Sequence, residues 1–186
     1  ILVAEAINHL RTLDQPGRVW DIGTGSGCVA LAIAHQVPDA RVLASDVSEP
    51  AVAVACDNAE RLGLADRVRI RRADLTALPE DCTDLAPFDV LVSNPPYVAD
   101  AEPVARCVEY EPAVALRGGP CGLDLLTPLV ADAPDLLARR GLLVIEFGYD
   151  QADAVRDLIA DTEQFTEPRI VCDHQDLERV AVAQRL

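Results

Sequence analysis

The sequence predicts an α/β domain in which helices cover both faces of a mainly parallel sheet. Helical and strand-like periodicities alternate through most of the chain. The run at 88–93 is short and apolar, as a buried central strand should be. The last two strand-like runs are joined too tightly for a crossover helix. With 186 residues, half of them apolar, the chain can bury one real core, and we expect a single domain over 1–186.

The individual elements follow from these periodicities. Helices are predicted at 2–13, 28–36, 49–62, 124–138 and 151–161. Strands are predicted at 18–22, 41–46, 67–72, 88–93, 142–147, 169–172 and 179–184, and the last two should pair as an antiparallel hairpin. Residues 98–122 contain three prolines and a glycine pair without a steady period, so they are predicted to form a long functional loop.

The charge balance disfavours nucleic acid as a substrate. The formal net charge is -15, so the average surface potential should repel a polyanion. A cluster of arginines weakens this argument, although its spacing mostly indicates the exposed face of a strand; its members are Arg67, Arg69, Arg71 and Arg72. No apolar run reaches the roughly 20 residues that a membrane span needs, and a secretory signal is not evident. We therefore expect a cytoplasmic protein that does not contact membranes.

The cysteines and histidines do not have the spacing of a metal site. Six cysteines are scattered without a Cys-x-x-Cys pair, and the three histidines are far apart. We expect no metal and no disulfide framework, and we interpret the cysteines as buried free thiols.

A glycine-rich turn joins the first predicted strand to the helix at 28–36. Glycines there would let the backbone approach a ligand without a Cβ in the way, and the helix that follows offers free N–H groups. The candidate cofactor-binding residues of this turn are Asp21, Gly23, Thr24, Gly25, Ser26 and Gly27. Counted from Gly25, the turn also satisfies the loose dinucleotide fingerprint that ends in alanine, at Ala30, so a nicotinamide or flavin cofactor stays open on this motif alone.

Acidic residues follow the second and third predicted strands. Asp46 closes the second strand and Asp74 follows the third, both at the carboxyl edge where open α/β sheets bind ligands. Asp46 could take both ribose hydroxyls of a nucleoside, while Asp74 and Leu75 would lie near the adenine. Together with the glycine turn, these residues predict a cofactor that contains adenosine.

The run Asn94-Pro95-Pro96-Tyr97 follows the fourth predicted strand and should lie beside that cofactor. The side-chain carbonyl of Asn94 and the backbone carbonyl of Pro95 could accept both N–H bonds of a planar NH2 group. The prolines would stiffen this frame, and the ring of Tyr97 would pack on the flat acceptor. We predict these residues as the catalytic and substrate-binding set, with Asn94 also contacting the cofactor.

Taken in order, these motifs resemble those of class I methyltransferases that have an Asn-Pro-Pro-Tyr acceptor loop. Downstream segments make the chain similar, along essentially its whole length, to the glutamine methyltransferases of peptide chain release factors, the HemK or PrmC family. These segments are Glu111-Pro112, Ala115-Leu116, Gly118-Gly119, Gly122-Leu123-Asp124 and the run from Gly141 to Gly148.

The resemblance implies a Rossmann-like sheet of seven strands with a terminal hairpin, and S-adenosylmethionine as cofactor. It implies methyl transfer to the glutamine of a release factor's Gly-Gly-Gln tripeptide, with S-adenosylhomocysteine as the second product. Two positions depart from the family pattern: Asp176 stands where glycine is expected and Glu109 where arginine is common. A helical N-terminal domain and a Pro-Arg-x-x-Thr-Glu segment usually precede this region, so 1–186 is expected to be the catalytic domain without the docking domain.

Two other functions remain open at this point. One keeps the chemistry and changes the acceptor to the exocyclic amine of a base in DNA or RNA, because such enzymes share the acceptor loop. The other is a scaffold that kept the fold and lost the reaction. The net charge opposes the first, and the intact motifs oppose the second.

Overall fold

In the computed structural model, which describes residues 1–103 and 112–186, the chain forms a seven-stranded mixed sheet covered by helices. The strands are β1 (Arg18–Ile22), β2 (Arg41–Asp46), β3 (Val68–Arg72), β4 (Phe88–Ser93), β5 (Leu137–Glu146), β6 (Arg169–Cys172) and β7 (Glu178–Gln184). The helices are α1 (Leu2–Leu10), α2 (Cys28–Gln36), α3 (Glu49–Arg61), α4 (Ala113–Leu116), α5 (Leu126–Leu136) and α6 (Ala152–Asp161), with a 3₁₀ helix at Glu80–Leu85. The predicted fold class is confirmed.

The strand order is β3-β2-β1-β4-β5-β7-β6. The first five strands of the chain pair in parallel, whereas β7 runs antiparallel to both of its neighbours, β5 and β6. This confirms the predicted hairpin. The chain leaves β3 at one edge and returns to β4 on the other side of β1, so the order reverses between β1 and β4. In open α/β sheets a ligand binds in the crevice at such a reversal.

The sheet separates two hydrophobic clusters, one on each face. Along β4, Val90 and Val92 face the cluster that contains α1 and α2, while Leu91 faces the cluster that contains α5 and α6. In the second cluster the rings of Trp20 and Phe88 lie with their centroids 5.2 Å apart. Because helices cover both faces, the central strands are apolar at successive positions, which is why 88–93 lacks alternation.

Several predicted boundaries need correction. The helix predicted at 2–13 ends at Leu10, because the N–H of Thr12 donates to the carbonyl of His9 (2.9 Å), three residues back, and the chain turns away. The strand predicted at 142–147 begins earlier, at Leu137, since β5 contains an irregularity at which the register with β4 shifts. Arg140 has a φ of +63° there, a conformation that periodicity does not reveal. The 3₁₀ helix at 80–85 was also missed.

The cysteines only partly match the prediction. Of the thiols that the structure describes, Cys82 is buried, but Cys28, Cys121 and Cys172 are exposed. The prediction of buried thiols is therefore wrong for these three. Cys28 is exposed because it opens α2 at the surface end of the glycine turn. One of the six cysteines, Cys107, lies outside the described residues, as do Glu109 and Glu111 of the segments discussed above.

Within 1–103 and 112–186, the helices are all too short or too polar to cross a bilayer. The same residues contain no group of three or more histidine, cysteine, aspartate or glutamate side chains that could hold a metal ion.

Candidate active site

The glycine turn lies at the carboxyl end of β1 and leads directly into α2. The N–H groups of Gly23 and Thr24 both donate to the carbonyl of Ser45 (2.9 Å each), which ties the turn to the end of β2. Gly23 and Gly25 have φ angles of +73° and +57°, and a Cβ on either would meet nothing within 4 Å. Both glycines therefore border open space, where a ligand can approach the backbone.

Gly27 has a different role from the other two glycines. Its φ is +83°, but a Cβ there would lie 3.1 Å from Leu31 Cδ1 and 3.2 Å from the Cβ of Ala55. Gly27 is buried where the residue that precedes α2 approaches Ala55 of α3. Gly27 thus lies against α3, whereas Gly23 and Gly25 border open space, and the cofactor contact predicted for all three glycines stays a prediction.

Asp21 is buried beneath the turn and holds its shape. Its Oδ2 accepts hydrogen bonds from Oγ1 of Thr24 (2.6 Å) and from the N–H of Ala30 in α2 (3.0 Å). Burial raises the pKa of Asp21 to about 6, and the two hydrogen bonds oppose this shift only in part. At neutral pH a buried negative charge therefore lies beneath the glycine turn, an environment that suits a cationic group.

Asp46 joins the same turn from the end of β2. Its Oδ2 accepts from the N–H of Gly25 (2.9 Å), and its Oδ1 accepts from the N–H of Ser48 (2.9 Å). The side chain is half-buried, and each carboxylate oxygen can accept a further hydrogen bond. The predicted contact with ribose hydroxyls thus stays a prediction, but the structure does bring Asp46 and Gly25 together.

Asp74 and Leu75 lie at the same edge of the sheet, beyond the end of β3. The N–H of Ala73 donates to the backbone carbonyl of Asp46 (3.1 Å), which holds this segment beside β2. Asp74 is exposed, and Leu75 is half-buried against the core with a φ of +44°. A left-handed leucine is uncommon, and here it directs the chain back toward the sheet.

The acceptor loop, Asn94 to Tyr97, begins where β4 ends. Ser93 and Ile22 are partners in the register of β4 and β1, and the hydroxyl of Ser93 donates to the carbonyl of Ile22 (2.7 Å). The acceptor loop therefore starts immediately beside the start of the glycine turn. Asn94 is exposed, whereas Pro95 is buried and fixed by its surroundings. The structure brings together the two motifs that the sequence separates by about seventy residues.

The segment 116–124 packs directly onto the acceptor loop. The N–H of Val98 donates to the carbonyl of Leu116 (3.0 Å), and the N–H of Gly118 donates to the carbonyl of Val98 (3.0 Å). A Cβ on Gly118 would meet the carbonyl oxygen of Pro96, and one on Gly122 would overlap the carbonyl of Tyr97. These glycines are required because two backbones approach each other here.

Sequence reasoning missed Gln151, which connects the acceptor loop to the loop after β5. Its Nε2 donates to the carbonyls of Tyr97 (3.0 Å) and Cys121 (3.1 Å), and its Oε1 accepts from the N–H of Gly148 (2.8 Å). The residue is only 9% exposed. A single glutamine at the start of a helix gives no signal in the sequence, so only the three-dimensional contacts could identify it.

A cavity of about 210 Å³ lies on the far side of the acceptor loop from the glycine turn. Its lining residues are Tyr97, Val98, Glu102, Gly148, Tyr149, Asp150 and Arg179. The guanidinium of Arg179 lies 5.7 Å from the centroid of the Tyr149 ring and donates through Nε to Asp173 (3.2 Å). Two residues at the end of the acceptor loop, Tyr97 and Val98, thus border this cavity.

Glu146, at the end of β5, lies close to the acceptor loop. The hydroxyl of Tyr97 is 3.5 Å from its Oε1. Burial raises the pKa of Glu146, while the positive charge of Arg179 acts in the opposite direction. The contact with Glu146 therefore holds the hydroxyl end of the Tyr97 ring near the end of β5.

The turn between β6 and β7 explains one departure from the family pattern. Asp176, where glycine was expected, has a φ of +60°, the left-handed conformation that glycine adopts most easily and aspartate tolerates. The turn is also held by Oδ1 of Asp173, which accepts from the N–H groups of Gln175 (2.8 Å) and Leu177 (3.1 Å). The turn geometry therefore survives the substitution.

Comparison with known proteins assigns this architecture to a family. The chain matches the family described as methyltransferase small domain over residues 5–110. It is 39% identical over 188 aligned positions to a release factor glutamine methyltransferase of Moorella thermoacetica. The alignment covers 99% of this chain and 64% of that protein. It is 44% identical over 140 residues to a ribosomal protein uL3 glutamine methyltransferase of Bordetella pertussis, covering 74% of this chain and 45% of that protein.

A solved structure shows the same fold. A ribosomal protein L11 methylase from Lactobacillus delbrueckii superposes with a TM-score of 0.66 at 21% identity, covering 99% of this chain and 76% of that one. The chain spans about three fifths of the length of the curated release factor methyltransferases that it matches. Because the family match covers more than half of the residues, and the glycine turn and the start of the acceptor loop lie within it, this chain belongs to the methyltransferase small domain family.

Proposed function

We propose that this chain is the catalytic domain of a protein-glutamine N-methyltransferase that uses S-adenosylmethionine and acts on peptide chain release factors. One observation carries the proposal: the pairing of Ile22 with Ser93 puts the glycine turn and the acceptor loop side by side at the carboxyl edge of the sheet. A methyl donor bound at the first would face an amide held by the second. The acceptor would be the glutamine of the Gly-Gly-Gln tripeptide.

The residues of the turn fit an adenosine-containing methyl donor. Gly23 and Gly25 border open space, and Asp46 lies against Gly25 with its carboxylate only half-buried. Asp46 would hold the ribose, Asp74 and Leu75 the adenine, and the turn above Asp21 the amino-acid end, whose cationic groups suit a buried carboxylate. When bound, S-adenosylmethionine supplies a methyl group on a sulfonium, and S-adenosylhomocysteine is the product.

The acceptor loop would act mainly by orientation. An amide nitrogen is a poor nucleophile because its lone pair is delocalised, so the loop must fix its direction. The side-chain oxygen of Asn94 and the carbonyl of Pro95 accept the two N–H bonds of the amide, and Tyr97 packs against its plane. No strong base is required, since the proton can leave the nitrogen after the methyl group has been transferred.

Two observations favour a protein glutamine over a nucleic-acid base. The compared curated relatives are both named for glutamine acceptors, in a release factor and in ribosomal protein uL3. Two members of the arginine cluster are also paired with carboxylates: Arg69 with Asp84, and Arg71 with Asp81 at 2.7 Å. An acidic chain with its basic cluster neutralised gives little attraction for a polyanion.

Since both acceptors belong to the translation machinery, we place the protein in the cytoplasm.

The direct test is to incubate the full-length protein with a release factor and methyl-labelled S-adenosylmethionine, and to sequence the labelled peptide by mass spectrometry. We expect one methyl group on the Gly-Gly-Gln glutamine and none when that glutamine is replaced by alanine. An Asn94→Ala enzyme serves as the control for background labelling. Absence of label on the release factor would overturn the proposal.

Parallel incubations separate the alternatives. Label on uL3 and not on the release factor would keep the chemistry and change the acceptor. Tight, salt-sensitive binding to DNA or RNA would revive the base-methylating alternative. Calorimetry that detects no binding of S-adenosylmethionine would instead indicate a scaffold without the reaction.

A further inference from the structure

We infer that Gln151 is a positioning residue for the acceptor loop, setting the carbonyl of Pro95 through the backbone of Tyr97. The inference rests on the proposed function, because it assigns the residue a part in holding the acceptor amide. Gln151 itself does not border the glycine turn. Its action would be exerted entirely through the loop.

The hydrogen bonds of Gln151 leave its amide only one orientation. Oε1 must face the N–H of Gly148, because that group needs an acceptor, while Nε2 faces the two carbonyls of Tyr97 and Cys121. Both N–H bonds of the amide are therefore used, and the side chain is buried. A buried amide with all of these bonds formed is a rigid connection, because breaking any of them would leave a polar group without a partner.

The connection joins three segments that are distant in sequence. These are the acceptor loop, the loop at 118–122 and the loop that follows β5. Gly122 shows how closely they approach, since a Cβ there would overlap both the carbonyl of Tyr97 and the Nε2 of Gln151. The Tyr97 carbonyl is thus held on two sides. Nε2 of Gln151 donates to it, and the backbone of Gly122 packs directly against it.

The prolines transmit this position to the site of chemistry. The ring of Pro96 fixes one of the torsions between the two carbonyls, so fewer torsions can absorb a shift of the Tyr97 carbonyl before it moves the carbonyl of Pro95. That carbonyl is one of the two acceptors proposed for the amide. A displacement of about 1 Å in a reacting group can cost about a hundredfold in rate.

Two substitutions at this position test the inference. Gln151→Glu keeps the shape of the side chain but places a carboxylate oxygen against the carbonyls of Tyr97 and Cys121. Gln151→Met keeps the approximate volume of the side chain and removes both N–H donors. We expect kcat with the acceptor to fall about thirty- to hundredfold in both at neutral pH, with affinity for S-adenosylmethionine within about threefold of wild type. Gln36→Glu, an exposed change at the end of α2, adds the same charge far from the loop and should leave both quantities unchanged.

The pH profile distinguishes positioning from general stability. At lower pH the glutamic acid of Gln151→Glu gains a proton and can donate to one carbonyl, so its kcat relative to wild type should recover, while that of Gln151→Met should not. A purely structural role would lower the melting temperature and the rate together in both variants, whereas a positioning role lowers kcat while the melting temperature at the assay pH stays well above the assay temperature. If kcat in both variants stays within twofold of wild type, the inference is wrong.

A second measurement does not depend on the acceptor. Hydrogen exchange should be faster at the N–H groups of Val98 and Gly118 in Gln151→Met than in wild type, with β1 and β4 unchanged, because these amides join the acceptor loop to the segment at 116–118. Unchanged exchange would overturn the inference. If wild type methylates neither release factor nor uL3 while exchange still rises as expected, then the proposed acceptor fails and Gln151 remains the residue that positions the loop.

Discussion

Replacing Asp21 with asparagine should change how the stability of the fold depends on pH. Asparagine keeps an oxygen that can accept from Thr24 and from the N–H of Ala30, so the hydrogen bonds beneath the glycine turn survive. What the substitution removes is the charge. The free energy of unfolding of the variant should therefore lack the part of the pH dependence that comes from Asp21.

The magnitude follows from the pKa. Burial raises the pKa of Asp21 from 3.8 to about 6 in the folded protein. A shift of about two units corresponds to about 3 kcal/mol. Because the folded state holds the proton more tightly, this stability is fully present below pH 3.8 and is lost as the pH rises through about 6. About 2 kcal/mol of that loss should fall between about pH 4.5 and pH 7.

The assay is urea unfolding of both proteins at several pH values across that interval. Other carboxylates, such as Asp81 and Asp173, have a lowered pKa and shift stability in the opposite direction, but they are common to both proteins. The difference between the two curves isolates Asp21. Wild type should lose about 2 kcal/mol relative to the variant between about pH 4.5 and pH 7. Parallel curves would refute the argument that burial raises the pKa of Asp21.

Further substitutions test the turn, the acceptor loop and the last hairpin. Asn94→Ala should lower methyl transfer about a hundredfold while calorimetry shows a much smaller change in cofactor affinity, and equal losses in both would contradict its assignment to the acceptor. Gly25→Ala and Gly63→Ala should each cost about 1 kcal/mol in urea unfolding, because both glycines have positive φ with open space around them. Only Gly25→Ala should weaken S-adenosylmethionine binding, and equal affinities would remove Gly25 from the cofactor site. Asp176→Gly should raise the free energy of unfolding by about 0.5 to 1 kcal/mol, and no gain would show that its left-handed φ is not strained.

The sequence predicted those features whose causes are local. The strand at 88–93 has an apolar run that ends at two prolines, and the structure places β4 at the same residues. The glycine turn is equally local, since its torsions depend on the residues that adopt them. Features that depend on contacts between distant segments were missed. The early start of β5 at Leu137 depends on a partner in β4, and the packing role of Gly27 depends on Ala55 in α3.

Gln151 shows the same limit at the candidate site. Its chemistry is ordinary, and its importance comes only from the three backbone groups that surround it. Asn94 and Tyr97, by contrast, could be singled out because their residue types and order suit a planar amide. Sequence reasoning therefore finds groups that touch a ligand more easily than groups that hold those groups in place.

The strand order also determines where acceptor specificity can arise. Asp46 and Asp74 follow β2 and β3, so the proposed cofactor occupies the side of the acceptor loop toward those strands. In this proposal the acceptor would approach from the other side, over the carboxyl end of β5 and the start of β7, where the cavity beside Tyr149 and Arg179 lies. Residues there can change the affinity for one protein acceptor over another without touching the methyl donor. In the proposed arrangement, a difference in acceptor between relatives, such as the release factor and uL3 methyltransferases, would therefore reside in the residues around this cavity and not in those of the glycine turn.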